Sequence, residues 1–198
     1  MMTFYNSEVE RFNNTYAHAD HKARTKTVND FINTNAKKIS WSHNVKQELV
    51  RETIFELEEK CFTQSLYRPF TRQWFYYNRV FNERVYQMPR IFPIGQAVEN
   101  RVIQITGTGA KKDFSVLMTK TVSDFQMIEN GQCFPRYIYE DAESLKNNKK
   151  KQSHLFTEES TTAGLQRRDA ITDEGLAHFK AAYPNEKISK DDLFYSKV

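Results

Sequence analysis

RVIQITGTGAKKDFSVLMT, residues 101–119, admits two readings. In one, Gly107-Thr108-Gly109-Ala110-Lys111-Lys112 is a glycine loop after a strand, with backbone amides placed to cradle a phosphate. In the other it is a hairpin turn. The loop matches neither GxxxxGK(S/T) nor GxGxxG, and the residues after it, FSVLMT, have the β-branched and apolar character of a strand rather than a helix. The hairpin is the better reading. PRYIYE (135–140) supplies a third strand, and Glu129-Asn130-Gly131-Gln132 a second turn. Residues 100–140 are therefore the clearest β region of the chain.

Helical patterns flank it. Residues 7–34 read as helical, with Ser7 a candidate cap for SEVERF, Glu10 at the capping-box position, and Val28, Phe31 and Ile32 on one face. ISWS (39–42) reads as a short strand, VKQELVRE as a helix and LEEKCF as another short helix. RQWFYYN, dense in aromatics, suggests a strand packed on both faces. NERVYQMPRIFP starts in a helix-compatible way and is broken at Pro89 and Pro93. Thr172 caps a predicted helix through Leu176, Phe179 and Tyr183, and Ser189 with Asp192 starts another. These patterns predict an α+β fold, with a largely antiparallel sheet and helices at the N- and C-terminal ends. The expected organisation is a mostly helical arm over 1–60, a β-rich core over 61–140, a polar mobile linker or insertion over 141–169, and a helical segment over 170–198 that looks truncated.

Composition narrows the chemistry. The 198 residues are 39% hydrophobic and 14% aromatic, with only six glycines and five prolines, so a packed core is expected rather than disorder. Cys61 and Cys133 form no CxxC pair, which suggests reduced core thiols. His18 and His21 are spaced as an HxxH pair but have no further ligand nearby, so they read as solvated loop histidines. The sequence contains no Gly-x-Ser-x-Gly, HExxH or Asn-Pro-Pro-aromatic motif, and the acid pairs Glu58-Glu59 and Asp191-Asp192 read as solvated helix charges. No catalytic residue, metal or cofactor is expected in this chain. With no apolar run long enough to span a bilayer and no signal-peptide pattern, the expected location is cytoplasmic, away from membranes.

The net charge of +4 becomes informative through its distribution. Between residues 67 and 101 there are six arginines (68, 72, 79, 84, 90 and 101), no lysine, and only Glu83 and Glu99, so this segment alone carries a surplus of four. Arginine grips phosphate bidentately, reads guanine in the major groove and stacks on aromatic faces. The opposing reading makes Trp74, Phe75, Tyr76, Tyr77 and Phe81 core, with the arginines paired to buried carboxylates. Composition leaves both open. The candidate DNA-contacting residues are Arg68, Arg72, Arg79, Arg84 and Arg90, together with Lys111 and Lys112 at the hairpin tip.

One stretch carries a resemblance. SLYRPFTRQWFYYNRVFNERVYQMPRIFP (65–93) resembles a hallmark of the C-terminal target-recognition region of type I single-polypeptide restriction–modification enzymes. NRVIQITGTGAKKDFSVLMT (100–119) and GQCFPRYIYE (131–140) resemble it in the same order, as do KARTKTVNDFI (22–32), KKISWS (37–42) and the tail ITDEGLAHF…ISKDDLFY (171–195). The resemblance spans most of the chain except 141–169. It implies sequence-specific duplex-DNA recognition within a larger polypeptide that also carries a nuclease, an ATP-driven translocase and an adenine-N6 methyltransferase using S-adenosylmethionine, ATP and magnesium. It implies no catalytic centre in these residues. It further implies that the motif arginines serve scaffold or backbone contacts, with base reading in variable loops. The competing expectation is a structural module coupling methyltransferase and motor.

Overall fold

The computed structural model describes residues 1–95, 97–141, 159–162 and 164–196, which fall into two compact units. The first comprises Met1–Thr63 and Tyr76–Val85. Its helices are α1 (Met2–Tyr16), α2 (His21–Phe31) and α3 (His43–Val50). Helix α1 buries Tyr5, Glu8, Val9 and Phe12, a single face at helical spacing. Tyr5, Val9 and Phe12 pack in one core with Val28, Ile39, Val45 and Leu49. The side chains of Asp20 and Ser42 accept hydrogen bonds from the Ala23 and Val45 amides and so begin α2 and α3. Arg24 is buried, ion-paired to Glu52 and hydrogen-bonded to Asn13 at 2.8 Å. Phe55 and Phe81 stack about Tyr5, with centroids 5.4 and 5.8 Å from its ring.

Three expectations change in this unit. Ser7 does not cap a helix, because α1 begins five residues earlier and the Ser7 hydroxyl instead donates to the Phe4 carbonyl at 2.8 Å. ISWS forms no strand: no partner strand lies beside it among the described residues, and Ile39 enters the helical core singly while the Trp41 indole donates to the Asn33 carbonyl at 2.9 Å. LEEKCF yields only a 3-10 turn, Glu59–Cys61.

The second unit comprises Gln64–Phe75 and Tyr86–Val198 and holds three small sheets. β1 (Phe62–Arg68), which starts two residues before the unit boundary, lies between β2 (Thr71–Tyr76) and β5 (Val122–Ser123), the latter parallel to it. β3 (Val102–Ile105) is the centre of the next sheet, antiparallel to β4 (Val116–Thr119) and β6 (Gln132–Pro135), with Ile103 opposite both Met118 and Phe134. The third sheet orders β7 (Tyr137–Asp141), β9 (Leu165–Asp169) and β8 (Glu159–Thr162), all antiparallel. The fold is α+β with mainly antiparallel pairing, as the patterning predicts. Of the expected polar linker, 142–158 and 163 lie outside the described residues, as does the lysine cluster 149–151; 159–162 and 165–169 are strands.

The short helix α4 (Met88–Ile91) reverses another expectation. Pro89 does not break a helix; it stands in the first turn, where proline's missing amide costs no hydrogen bond. Buried Asn100 joins α4 to β7. Its amide donates to the Ile91 and Tyr137 carbonyls at 2.9 and 2.8 Å, and its oxygen accepts from the Tyr137 amide at 3.0 Å. At the C-terminal end, α5 (Asp173–Ala182) is capped by Thr172, and α6 (Lys190–Tyr195) begins with the full Ser189–Asp192 capping box.

Candidate nucleic-acid interface

β1 and β2 are joined by a two-residue tip, Pro69-Phe70. Ser65 and Leu66 of β1 are buried beside β5, and Leu66 packs with Met127 and Ile128. From residue 67 to 74 every side chain is exposed. Phe70 is 89% exposed and Trp74 68%. The expectation that RQWFYYN packs on both faces is therefore wrong for its first half. Among the described residues β2 is the edge of its sheet, and its first four side chains are exposed. The aromatic run divides instead. Tyr77 is buried and Phe81 packs on the core of the first unit, whereas Phe70 and Trp74 stand in solvent.

The arginines divide in the same way. On the hairpin, Arg68 lies over the Tyr67 ring at 4.9 Å and donates to the Gln126 carbonyl at 3.3 Å. Arg72 makes no hydrogen bond or ion pair among the described residues and is exposed. Arg90 is committed elsewhere: it donates to Gln87 at 3.0 Å and pairs with Glu140, which also takes Arg168 at 2.8 Å. Arg79 and Arg84 are exposed residues of the first unit, and Arg84 has a left-handed backbone at φ 55°. Of the seven candidates, the second unit places Arg68 and Arg72 on one hairpin and Lys111 and Lys112 at the tip of another, and turns Arg90 to a structural pairing.

The Lys111-Lys112 tip also settles how the glycine loop works. The amides of Lys111 and Lys112 donate to the two carboxylate oxygens of Glu129, each at 3.1 Å. The Gly107 amide donates to the Glu129 carbonyl at 3.2 Å. The position a bound phosphate would take against the Lys111 and Lys112 amides is filled by the protein's own carboxylate. The loop is a hairpin turn, and its cations are exposed side chains rather than a backbone cradle. Gly107 and Gly131 are required where they stand, because a Cβ would collide with the Asn130 carbonyl at the first and with the Gln104 side chain at the second. The segment 124–131 links the two tips, since its Gln126 holds Arg68 and its Glu129 holds the lysine turn.

A second concave feature is a cleft of about 610 Å³ lined in part by Asn100, Arg101, Lys120, Arg136, Tyr137 and Tyr195. Arg101 lies over Tyr195 at 5.5 Å. Arg136 is buried, ion-paired to Asp169 and, at 2.6 Å, to Asp191. Burial pulls its pKa down, but the two carboxylate acceptors outweigh that and hold it above the ordinary arginine value. Asp191 is exposed, as the reading of it as a solvated charge expects, but it also has a basic partner 55 residues away in sequence. Glu58 pairs with Lys60 at 2.8 Å, and both side chains are exposed. Cys61 and Cys133 are free thiols, and burial raises the pKa of both. No cluster of metal-ligating side chains occurs among the described residues, and no described helix is long and apolar enough to cross a membrane.

A family model described as the Type ISP C-terminal specificity domain matches residues 1–195. The chain belongs to this family. Among solved structures, the Type ISP specificity domain is similar to a nuclease-deletion mutant of the Type ISP restriction–modification enzyme LlaGI in complex with a DNA substrate mimic. The two share 35% identity and a TM-score of 0.63 over 71% of this chain and 13% of that one. It is similar to DrdV in a DNA complex at 28% identity and TM-score 0.68, over 94% of this chain and 15% of that one. The ATP-dependent Type ISP enzyme LlaBIII bound to DNA shares the fold, at 20% identity and TM-score 0.64 over 94% of this chain and 10% of that one. The specificity domain therefore spans well under a fifth of the length of each of these proteins. Comparison with curated proteins returns no match.

Sequence reasoning assigned Trp74 to a strand packed on both faces and did not single out Phe70. The available signal was the Pro69-Phe70 pair between two arginines in a segment free of acids: residues 62–76 contain no aspartate or glutamate.

Proposed function

We propose that this specificity domain recognises duplex DNA and supplies target selection to a larger restriction–modification polypeptide. The observation that carries the reading is the acid-free β1–β2 hairpin, whose Arg72 is unengaged by the fold and whose tip is fully in solvent. The family match and the DNA-bound state of LlaGI and DrdV support it. Phosphate contacts supply affinity and register, while base edges supply sequence. Arg68, Arg72, Lys111 and Lys112 take the phosphates in this reading, and Arg90 contributes through the scaffold.

The domain provides the address rather than the chemistry. Adenine-N6 methylation, ATP-driven translocation and cleavage belong to covalently linked domains, with S-adenosylmethionine, ATP and magnesium as their cofactors, in the bacterial cytoplasm. The test is a randomised-duplex selection with the intact parent polypeptide, repeated after residues 1–195 are exchanged for the matching region of a relative with a different target. Specificity is expected to move with the exchanged region. A target that stays with the remainder of the polypeptide would overturn the assignment.

A further inference from the structure

The tip of the β1–β2 hairpin combines two features that folding alone disfavours. Phe70 has a left-handed backbone, φ 66°, at a turn position that ordinarily takes glycine or asparagine. Its ring is 89% exposed and makes no ring contact among the described residues. A bulky residue held in that conformation with nothing to pack on marks a place where strain is retained for a purpose outside the folded chain. The surroundings indicate the kind of partner. Arg68 and Arg72 stand two residues to either side, Trp74 follows in solvent, and no acid lies anywhere on the hairpin. An aromatic tip bracketed by cations suits a polyanion with stacked apolar rings inside it.

We propose that Phe70 is an apolar wedge that enters the stack of a bound duplex between adjacent base pairs, while Arg68 and Arg72 hold the phosphates on either side. Wedge side chains of this type partly unstack a base step and kink the duplex. The inference rests on the DNA-recognition reading above and adds to it a deformation of the target: specificity would come partly from base steps that kink easily.

The test uses the whole chain and an end-labelled duplex recovered from the selection, carrying a fluorescent adenine analogue at successive positions. Wild-type protein is expected to brighten the analogue at one step and to shorten the end-to-end distance. Phe70→Gly, which suits the left-handed backbone, is expected to keep or raise the unfolding midpoint. The same variant is expected to lose the brightening and the bend and to bind about ten-fold more weakly, the scale of one base–aromatic stack. Its salt slope should equal that of the wild type, because no phosphate contact is removed. Phe70→Trp should retain both signals. If Phe70→Gly binds and bends DNA like the wild type, or if the wild type unstacks no step, the wedge is wrong and recognition stands; in that case a protein surface is the better occupant of the tip. If the wild type binds no duplex at all, the recognition reading itself falls.

Discussion

At the scale of single residues, the two kinds of arginine separate by what they already hold. Arg72 is expected to act only on an external partner. Arg72→Ala should therefore weaken binding to all duplexes alike and lower the slope of log affinity against log salt by about 1, measured by a salt titration. Arg90 has its guanidinium between Gln87 and Glu140. Arg90→Ala should leave the salt slope unchanged and cost less than about 1 kcal/mol of stability, since the pair is partly exposed and Glu140 keeps Arg168. Equal effects of the two substitutions on the salt slope would contradict this division. Both arginines look alike in the sequence, because nothing local marks Glu140, 50 residues further on, as a partner.

Among the elements, the tight contacts between β3–β4 and the 124–131 segment depend on glycine. Gly107→Ala drives a Cβ into a backbone carbonyl that cannot swing aside, so it should destabilise the lysine hairpin, read as lost amide protection at Lys111 and Lys112 in hydrogen exchange. The Asn100 brace is a second point. Asn100→Ala removes the side-chain partner of two carbonyls and two amides and should cost roughly 2–5 kcal/mol in chemical denaturation. At α6, the Ser189 hydroxyl and amide hold the Asp192 carboxyl below its usual range. A lowered folded-state value means that the capping contribution is complete above the ordinary carboxylate pKa and disappears as pH falls through the lowered one. Ser189→Ala should return Asp192 toward the ordinary value in a carboxyl titration followed by NMR. The Thr172 and Ser189–Asp192 caps were legible in sequence because a cap is an i to i+3 relation. The Ser7 cap was misread because its helix had already begun upstream, for reasons of core packing at Tyr5.

For the molecule as a whole, the decisive long-range feature is the ion network in which Arg136 and Lys190 share Asp169, with Asp191 and Asp173 at its edges. It fastens α6 to the end of β9. Removing Arg136 leaves Asp169 buried with only Lys190 as counterion, at 3.2 Å, so Arg136→Ala should cost roughly 3–5 kcal/mol in equilibrium unfolding. A loss of the size seen for an exposed pair would mean that the site readmits water freely.

The sequence by itself determined the local grammar: an α+β chain, the turn at Gly107–Lys112, the helix caps near the C-terminal end and the family to which the chain belongs. Those properties rest on propensities and spacings that neighbouring residues satisfy among themselves. Only the tertiary structure decided which aromatics are core and which are surface, and which cations remain unengaged. It did so because burial and ion pairing depend on groups brought together from distant parts of the chain. The pairs Arg136–Asp191 and Arg90–Glu140 are the instances here, at separations of 55 and 50. Tyr77 and Trp74, three residues apart, ended on opposite sides of that division: Tyr77 is buried, whereas Trp74 lies on a strand that, among the described residues, is the edge of its sheet.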